Sequence, residues 1–183
     1  MPQEVGGVWT RFGLRVAVVV LSALPLASCL ERDDPVTTVI LVRHAEKELG
    51  GSDPDLAQAG SERAQTLAHV LGETPVSAIY ATQYARTRNT ARPLADRLGL
   101  EVTTVASGDL YAAEMAELIL SRHVGQTVVI VSHSNTVPEI IAQLGAEQPP
   151  VIDDNEYDDL YVVTIGSGRR TKVLPLRYGR ETP

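Results

Sequence analysis

Cysteine occurs once in the 183 residues, at Cys29. One thiol closes no intrachain disulfide and builds no multi-thiolate zinc site, so no metal is expected. Aromatic residues are equally scarce, at 4% with one Trp and one Phe. Such a chain offers no stacking platform for single-stranded bases. Basic charge is in deficit as well: 16 Lys and Arg stand against 23 Asp and Glu, for a net charge of −7. That is the wrong sign for tracking a nucleic-acid backbone, so no nucleic-acid partner is expected. What remains is ordinary for a soluble globular chain, with 44% apolar and 21% charged residues. The length accommodates about one domain.

Long apolar runs are missing too, with one short exception. Arg11 and Arg15 precede an uncharged stretch over 16–28. It falls short of the roughly 20 residues that span a bilayer, and fits the apolar core of a secretory signal ending in small residues. The end reads Leu26-Ala27-Ser28-Cys29 and resembles a bacterial lipoprotein signal, which implies cleavage before Cys29 and lipidation of its thiol. Several acyl chains on one residue hold a soluble domain at a membrane. The expected organisation is a signal over 1–28, a lipidated tether over 29–36 and one domain over 37–183. The expected location is the bacterial cell envelope, on its periplasmic or cell-surface side.

Beyond residue 36, apolar patterning alternates between two periods. β-branched and aliphatic runs predict strands at 37–42, 76–81, 102–105, 127–131, 160–165 and 172–176. Helical spacing predicts helices at 56–71, 84–98, 111–123 and 137–144. Gly72, Gly99, Gly125 and Gly145 follow these helices as stop signals, while Pro93 marks a bend or the real end of the second. Strands separated by helices predict an α/β fold, a mostly parallel central sheet covered on both faces. The last pair, joined by a short turn over 166–170, adds an antiparallel edge strand. Ligands of such sheets bind beyond the carboxyl ends of the strands.

Two histidines fall at that edge: His44 after the first strand and His133 after the most apolar one. Arg43 abuts His44, and Arg86 and Arg88 open the second helix. A guanidinium fork matches phosphate oxygens, so this convergence of imidazoles and arginines points to phosphate chemistry. The helical histidines, His69 and His123, are expected at the surface.

The segment Leu41-Val42-Arg43-His44-Ala45-Glu46-Lys47 resembles the Arg-His-Gly signature of the histidine phosphatase superfamily, branch 1, also called phosphoglycerate mutase-like, with Ala45 in place of the usual Gly. Residues 80–91, with Arg86-Thr87-Arg88-Asn89-Thr90-Ala91, resemble its second block, in which Arg86 is the matching arginine and Arg88 the runner-up. The opening of the first helix, over 55–64, resembles a Leu-Thr-x-x-Gly-x-x-Gln-Ala motif, departing at Ala57 and Arg63. Val129-Ile130-Val131-Ser132-His133 resembles the second-histidine block.

The resemblance implies a phosphoglycerate mutase-like fold and a metal-independent phosphatase without a cofactor. His44 is the implied nucleophile, forming a phosphohistidine. Arg43, Arg86 and His133 surround the phosphoryl group. Asn135 and Thr136 either add donors to the same pocket or cap the helix they open. Glu114 is the first choice of general acid and Asp109 the second. Glu46 either orients His44 or faces solvent. Only 47 residues separate Arg86 from His133. That short gap implies a small lid and an open pocket, which favours hydrolysis over mutase chemistry. The expected substrate is a phosphorylated small molecule or a phosphoprotein. Specificity is expected in the loops over 48–55, 106–111 and 145–159, the last either an acidic rim that repels polyanions or a solvated surface loop with no say in specificity. The alternative reading is a non-catalytic phosphate-binding or scaffolding module on the same fold.

Overall fold

A computed structural model of the chain describes residues 1–4, 6–7, 34–166, 168 and 170–182. Cys29, most of the expected signal and most of the tether lie outside the described residues. The chain divides into the units Met1–Arg32 and Asp33–Pro183, and every strand and helix below belongs to the second. None of the described helices is long and apolar enough to cross a membrane.

Six strands form one sheet: β1 (Thr37–Arg43), β2 (Val76–Thr82), β3 (Val102–Val105), β4 (Thr127–Ser132), β5 (Asp159–Ile165) and β6 (Thr171–Arg177). Their order is β3-β2-β4-β1-β5-β6. The pairs β2–β3, β2–β4 and β1–β4 are parallel. Antiparallel pairing covers both β1–β5 and β5–β6, so the antiparallel margin is two strands wide rather than a single edge.

Four helices cover the faces: α1 (Gln58–Leu71), α2 (Ala85–Leu98), α3 (Tyr111–Arg122) and α4 (Thr136–Gln143). Side chains alternate across a strand, and the sheet divides its apolar residues accordingly. Ile40, Val42, Ile79, Ala81, Val129 and Val131 face one way and pack with Leu67, Leu71, Leu94 and Ala95 of α1 and α2. Val39, Leu41, Val128, Ile130 and Val163 face the other way and pack with Met115, Ile119, Ile140 and Ile141 of α3 and α4. Each buried Val, Leu, Ile or Met among them contributes roughly 1.5–3 kcal/mol relative to exposure.

Two local features depart from the expected pattern. Pro93 lies inside α2 and is not its end; the helix continues to Leu98, and Gly99 closes it in the left-handed conformation at φ 67°. The first helix starts at Gln58 rather than at residue 56, because Leu56 bridges to Lys47 instead. Gly60 lets that helix meet the end of the signature loop, since a Cβ there would collide with the carbonyl oxygen of Glu46.

The order of strands positions the site. β1 and β4 are neighbours, with Arg43 opposite Ser132, and β4 lies beside β2. Three parallel strands therefore end side by side, and the residues that follow them share one edge.

Candidate active site

His44 continues the line of β1, its backbone N–H donating to the carbonyl of Ser132 at 2.8 Å. The side chain is buried, and Nδ1 lies 2.8 Å from the carbonyl oxygen of Ala45. A carbonyl only accepts, so neutral His44 carries its proton on Nδ1 and leaves the Nε2 lone pair free. Thr90 of α2 secures the loop. Its hydroxyl accepts from the Ala45 N–H at 2.9 Å and donates to the Arg86 carbonyl at 2.7 Å.

His133 follows β4. Its ring stands edge-on to that of His44, with centroids 5.4 Å apart. Its Nε2 lies 3.0 Å from the Thr82 hydroxyl at the end of β2. Burial, with Arg43, His133 and Arg86 nearby, pulls the pKa of His44 down to about 3, although the bond to Ala45 works the other way. Burial followed by the charges of Arg86 and Arg43 brings His133 down to about 4. Both imidazoles are therefore neutral near pH 7.

The two arginines are held by the same devices. Arg43 Nη1 donates to the carbonyls of Asp153 and Glu156, both at 2.9 Å, and its guanidinium stacks 4.1 Å over the Tyr157 ring. Arg86 stacks 4.3 Å over Tyr84 and lies 3.7 Å from Asp53. Asp53 also accepts from the Ala85 N–H at 2.9 Å, capping the start of α2. Tyr157 and Tyr84 in turn lie beside His44 and His133, at 6.0 and 5.4 Å between ring centroids. Two of the few aromatic residues thus line this site. The Nε atoms of both arginines are buried without a hydrogen-bond partner among the described residues. A buried unsatisfied donor on a cation is costly, and a phosphoryl oxygen is the kind of acceptor that relieves it.

Of the other candidates, Thr136 is turned into its own helix start. Its hydroxyl lies 2.6 Å from that of Ser132 and accepts from the His133 N–H at 3.1 Å. Asn135 sits at the N-cap with no side-chain capping bond. Arg88 is exposed and donates to the Gln83 carbonyl. Glu114 is exposed in the first turn of α3, and no described hydrogen bond or ion pair joins it to the four pocket residues. Asp109 is also exposed, and Leu110 rather than Asp109 is the N-cap of α3. His69 is exposed as expected, but His123 is half-buried and lies 2.7 Å from the Tyr80 hydroxyl.

Two expectations need correction. Glu46 neither orients His44 nor faces solvent. It forms a two-pronged pair with buried Arg63, at 2.7 Å for Nη2 and 3.1 Å for Nε, and Arg63 also donates to the carbonyls of Tyr178 and Arg180. Burial pushes the Glu46 carboxyl up, but Arg63 outweighs it and holds the group below its ordinary value. The acidic segment 147–159 is not a uniform rim. Glu156, Asp158 and Asp159 all pair with Arg177 of β6. Asp153, Asp154 and Asn155 are the exposed residues of the turn that supports Arg43. In the sequence Arg63 stands out only as a departure from the helix-opening motif and Arg177 not at all, because their partners lie on distant elements.

Comparison with known proteins now bears on this arrangement. Residues 39–107 match the family model of the histidine phosphatase superfamily (branch 1). That supports this superfamily as the chain's family. A 71-residue stretch is 39% identical to phosphoserine phosphatase 1 of Hydrogenobacter thermophilus, covering 35% of this chain. The match spans 34% of that curated relative's length. Among solved structures, a mycobacterial glucosyl-3-phosphoglycerate phosphatase aligns with a TM-score of 0.63 and 18% identity, over 79% of this chain and 100% of the other. The protein histidine phosphatase SixA, complexed with tungstate, aligns with a TM-score of 0.62 and 18% identity, over 76% and 96%. The fold is the phosphoglycerate mutase-like α/β fold that these two structures share. Arg43, His44 and Arg86 lie inside the family match, and His133 beyond it.

Proposed function

We propose that the chain is a phosphomonoester phosphatase working through a phosphohistidine on His44. The observation that carries this reading is the edge-on pair of neutral imidazoles beside two arginines whose buried Nε donors lack partners among the described residues. The Nε2 lone pair of His44 attacks phosphorus while the bond to the leaving oxygen breaks. The Nδ1–H bond to Ala45 steadies the positive charge that develops on the ring. Arg43 and Arg86 hold the phosphoryl oxygens, so positioning and electrostatics supply most of the effect. The leaving oxygen takes a proton from an acid, for which Glu114 is the first candidate and Asp109 the second. Water then attacks phosphorus and gives a proton back to that carboxylate, the P–N bond breaks, His44 regains its lone pair, and inorganic phosphate departs.

The named substrates of the similar proteins share a phosphoryl group and little else, so the substrate class is a phosphorylated small molecule or a phosphoprotein. We also propose that Cys29 is the lipid anchor, which places the domain at the bacterial envelope. Fatty-acid labelling that survives in Cys29→Ser overturns that second part.

The catalytic reading is tested with p-nitrophenyl phosphate. Turnover is expected, together with an acid-labile phosphoenzyme that His44→Ala lacks and a rate loss of about 10⁴-fold or more in that variant. Retained phosphate binding without turnover on any phosphomonoester would instead establish the non-catalytic module.

A further inference from the structure

The hydroxyls of Thr82 and Thr87 are both fully buried and continue inward from His133. Thr87 Oγ1 lies 2.8 Å from the carbonyl oxygen of Tyr84 and 3.1 Å from that of Thr82. Thr82 Oγ1 lies 2.9 Å from Thr87 Oγ1 and 3.0 Å from His133 Nε2. Carbonyls cannot donate, so the Thr87 proton belongs to one of them. The reverse polarity would aim hydroxyl lone pairs at two carbonyl oxygens. Once Thr87 donates to a carbonyl, its oxygen is free to accept from Thr82. Thr82 has then used its one proton and can only accept from His133.

We propose that Thr82 and Thr87 are positioning residues that hold His133 as the Nε2–H tautomer. The partner of one ring nitrogen decides the state of the other. Nδ1, which makes no hydrogen bond among the described residues, is left with the lone pair. It is thus the nitrogen at which His133 exchanges protons with the substrate side. A phosphomonoester that arrives as its monoanion gives its proton to Nδ1, and His133 then donates from Nδ1 to a phosphoryl oxygen while the Nε2 bond stays intact, so the exchange needs no rearrangement. That functional consequence rests on the phosphatase reading above; the tautomer itself does not.

The tautomer is read directly by long-range ¹H–¹⁵N NMR of the full chain with ¹⁵N-labelled histidine, the four histidines being assigned by single substitutions. Neutral His133 is expected as Nε2–H. Thr82→Val should erase that preference and lower kcat/KM by about ten-fold, the equivalent of one hydrogen bond. Thr82→Ser should restore both, and Thr87→Val should weaken the preference from one step further away. An Nδ1–H tautomer in the unaltered protein, or an unchanged tautomer in Thr82→Val, overturns the proposal. The measurement on the unaltered protein decides even if the Val variants fail to fold. An Nε2–H tautomer without phosphoenzyme formation overturns the phosphatase reading and leaves this one standing.

Discussion

The carbonyl oxygen of Ala45, one residue along the chain, takes the Nδ1 proton of His44 at 2.8 Å and so frees Nε2. The direction in which His44 Nε2 faces is therefore set by the backbone of the signature loop. That loop is tied through Thr90 to the turn that carries Arg86. A shift of either arm moves both the imidazole and the guanidinium.

The two histidines should make the fold sensitive to mild acid. Their folded pKa values, about 3 and about 4, lie below the ordinary 6.5. Below pH 6.5 the unfolded chain therefore binds protons that the folded chain refuses. Their destabilising effect is absent above that pH and grows as pH falls toward the folded values, to roughly 3–5 kcal/mol for each histidine. Melting temperature should decline between pH 6.5 and 5, before the carboxylates titrate. A His44→Asn, His133→Asn double variant should flatten that slope, and a slope unchanged by the double variant would contradict the burial-driven shifts.

Arg86 and Arg88 should behave oppositely although both open the same helix. Arg86→Ala removes a half-buried cation whose Nε has no partner among the described residues, and charged hydrogen bonds contribute about 1.5–3 kcal/mol. Vanadate inhibition should weaken by roughly ten- to a hundred-fold. Arg88→Ala touches only an exposed contact to Gln83 and should alter inhibition by no more than about two-fold. Equal losses in the two variants would mean that long-range charge, not contact, governs binding.

Glu46 should matter to stability more than to chemistry. Its pair with Arg63 is 21% exposed on the carboxylate side and 3% on the guanidinium side. Breaking a fully buried pair costs about 3–5 kcal/mol, and partial solvation reduces that to about 2 kcal/mol here. Urea unfolding of Glu46→Gln should show the loss. Adding Arg63→Met should recover part of it, because the uncompensated charge is then gone.

Glu114 is separated from the other candidates by leaving-group chemistry. An aryl oxide departs without help, whereas an alkoxide needs a proton. If Glu114 supplies it, Glu114→Gln should leave p-nitrophenyl phosphate hydrolysis intact and slow alkyl phosphates by about 100-fold. Its exposed place in the first turn of α3 makes an equal rate on both substrates the result that would move the role to Asp109 or another group.

The strands, the helices and the residues after β1 and β4 were legible because each depends on a local pattern. Buried strands announce themselves as β-branched runs, helices by their period, and the signature blocks by adjacent residues. Glu46 shows where that stops. Its partner Arg63 was visible only as a departure from a motif, since nothing within a few residues reveals that a helix start will pack against the loop after β1. The acidic segment misled for the same reason. Composition counts six carboxylates between residues 147 and 159, but only the antiparallel pairing of β5 with β6 brings Arg177 against three of them.

By itself the sequence determined an α/β alternation, two histidines at strand ends and arginines to accompany them. The tertiary structure decided which ring nitrogen of His44 carries the proton, which arginine turns toward the histidines and which carboxylates are already engaged. The physical reason is that hydrogen-bond direction and ion pairing act over a few ångströms. Residues far apart along the chain come within that range only once the sheet order is set.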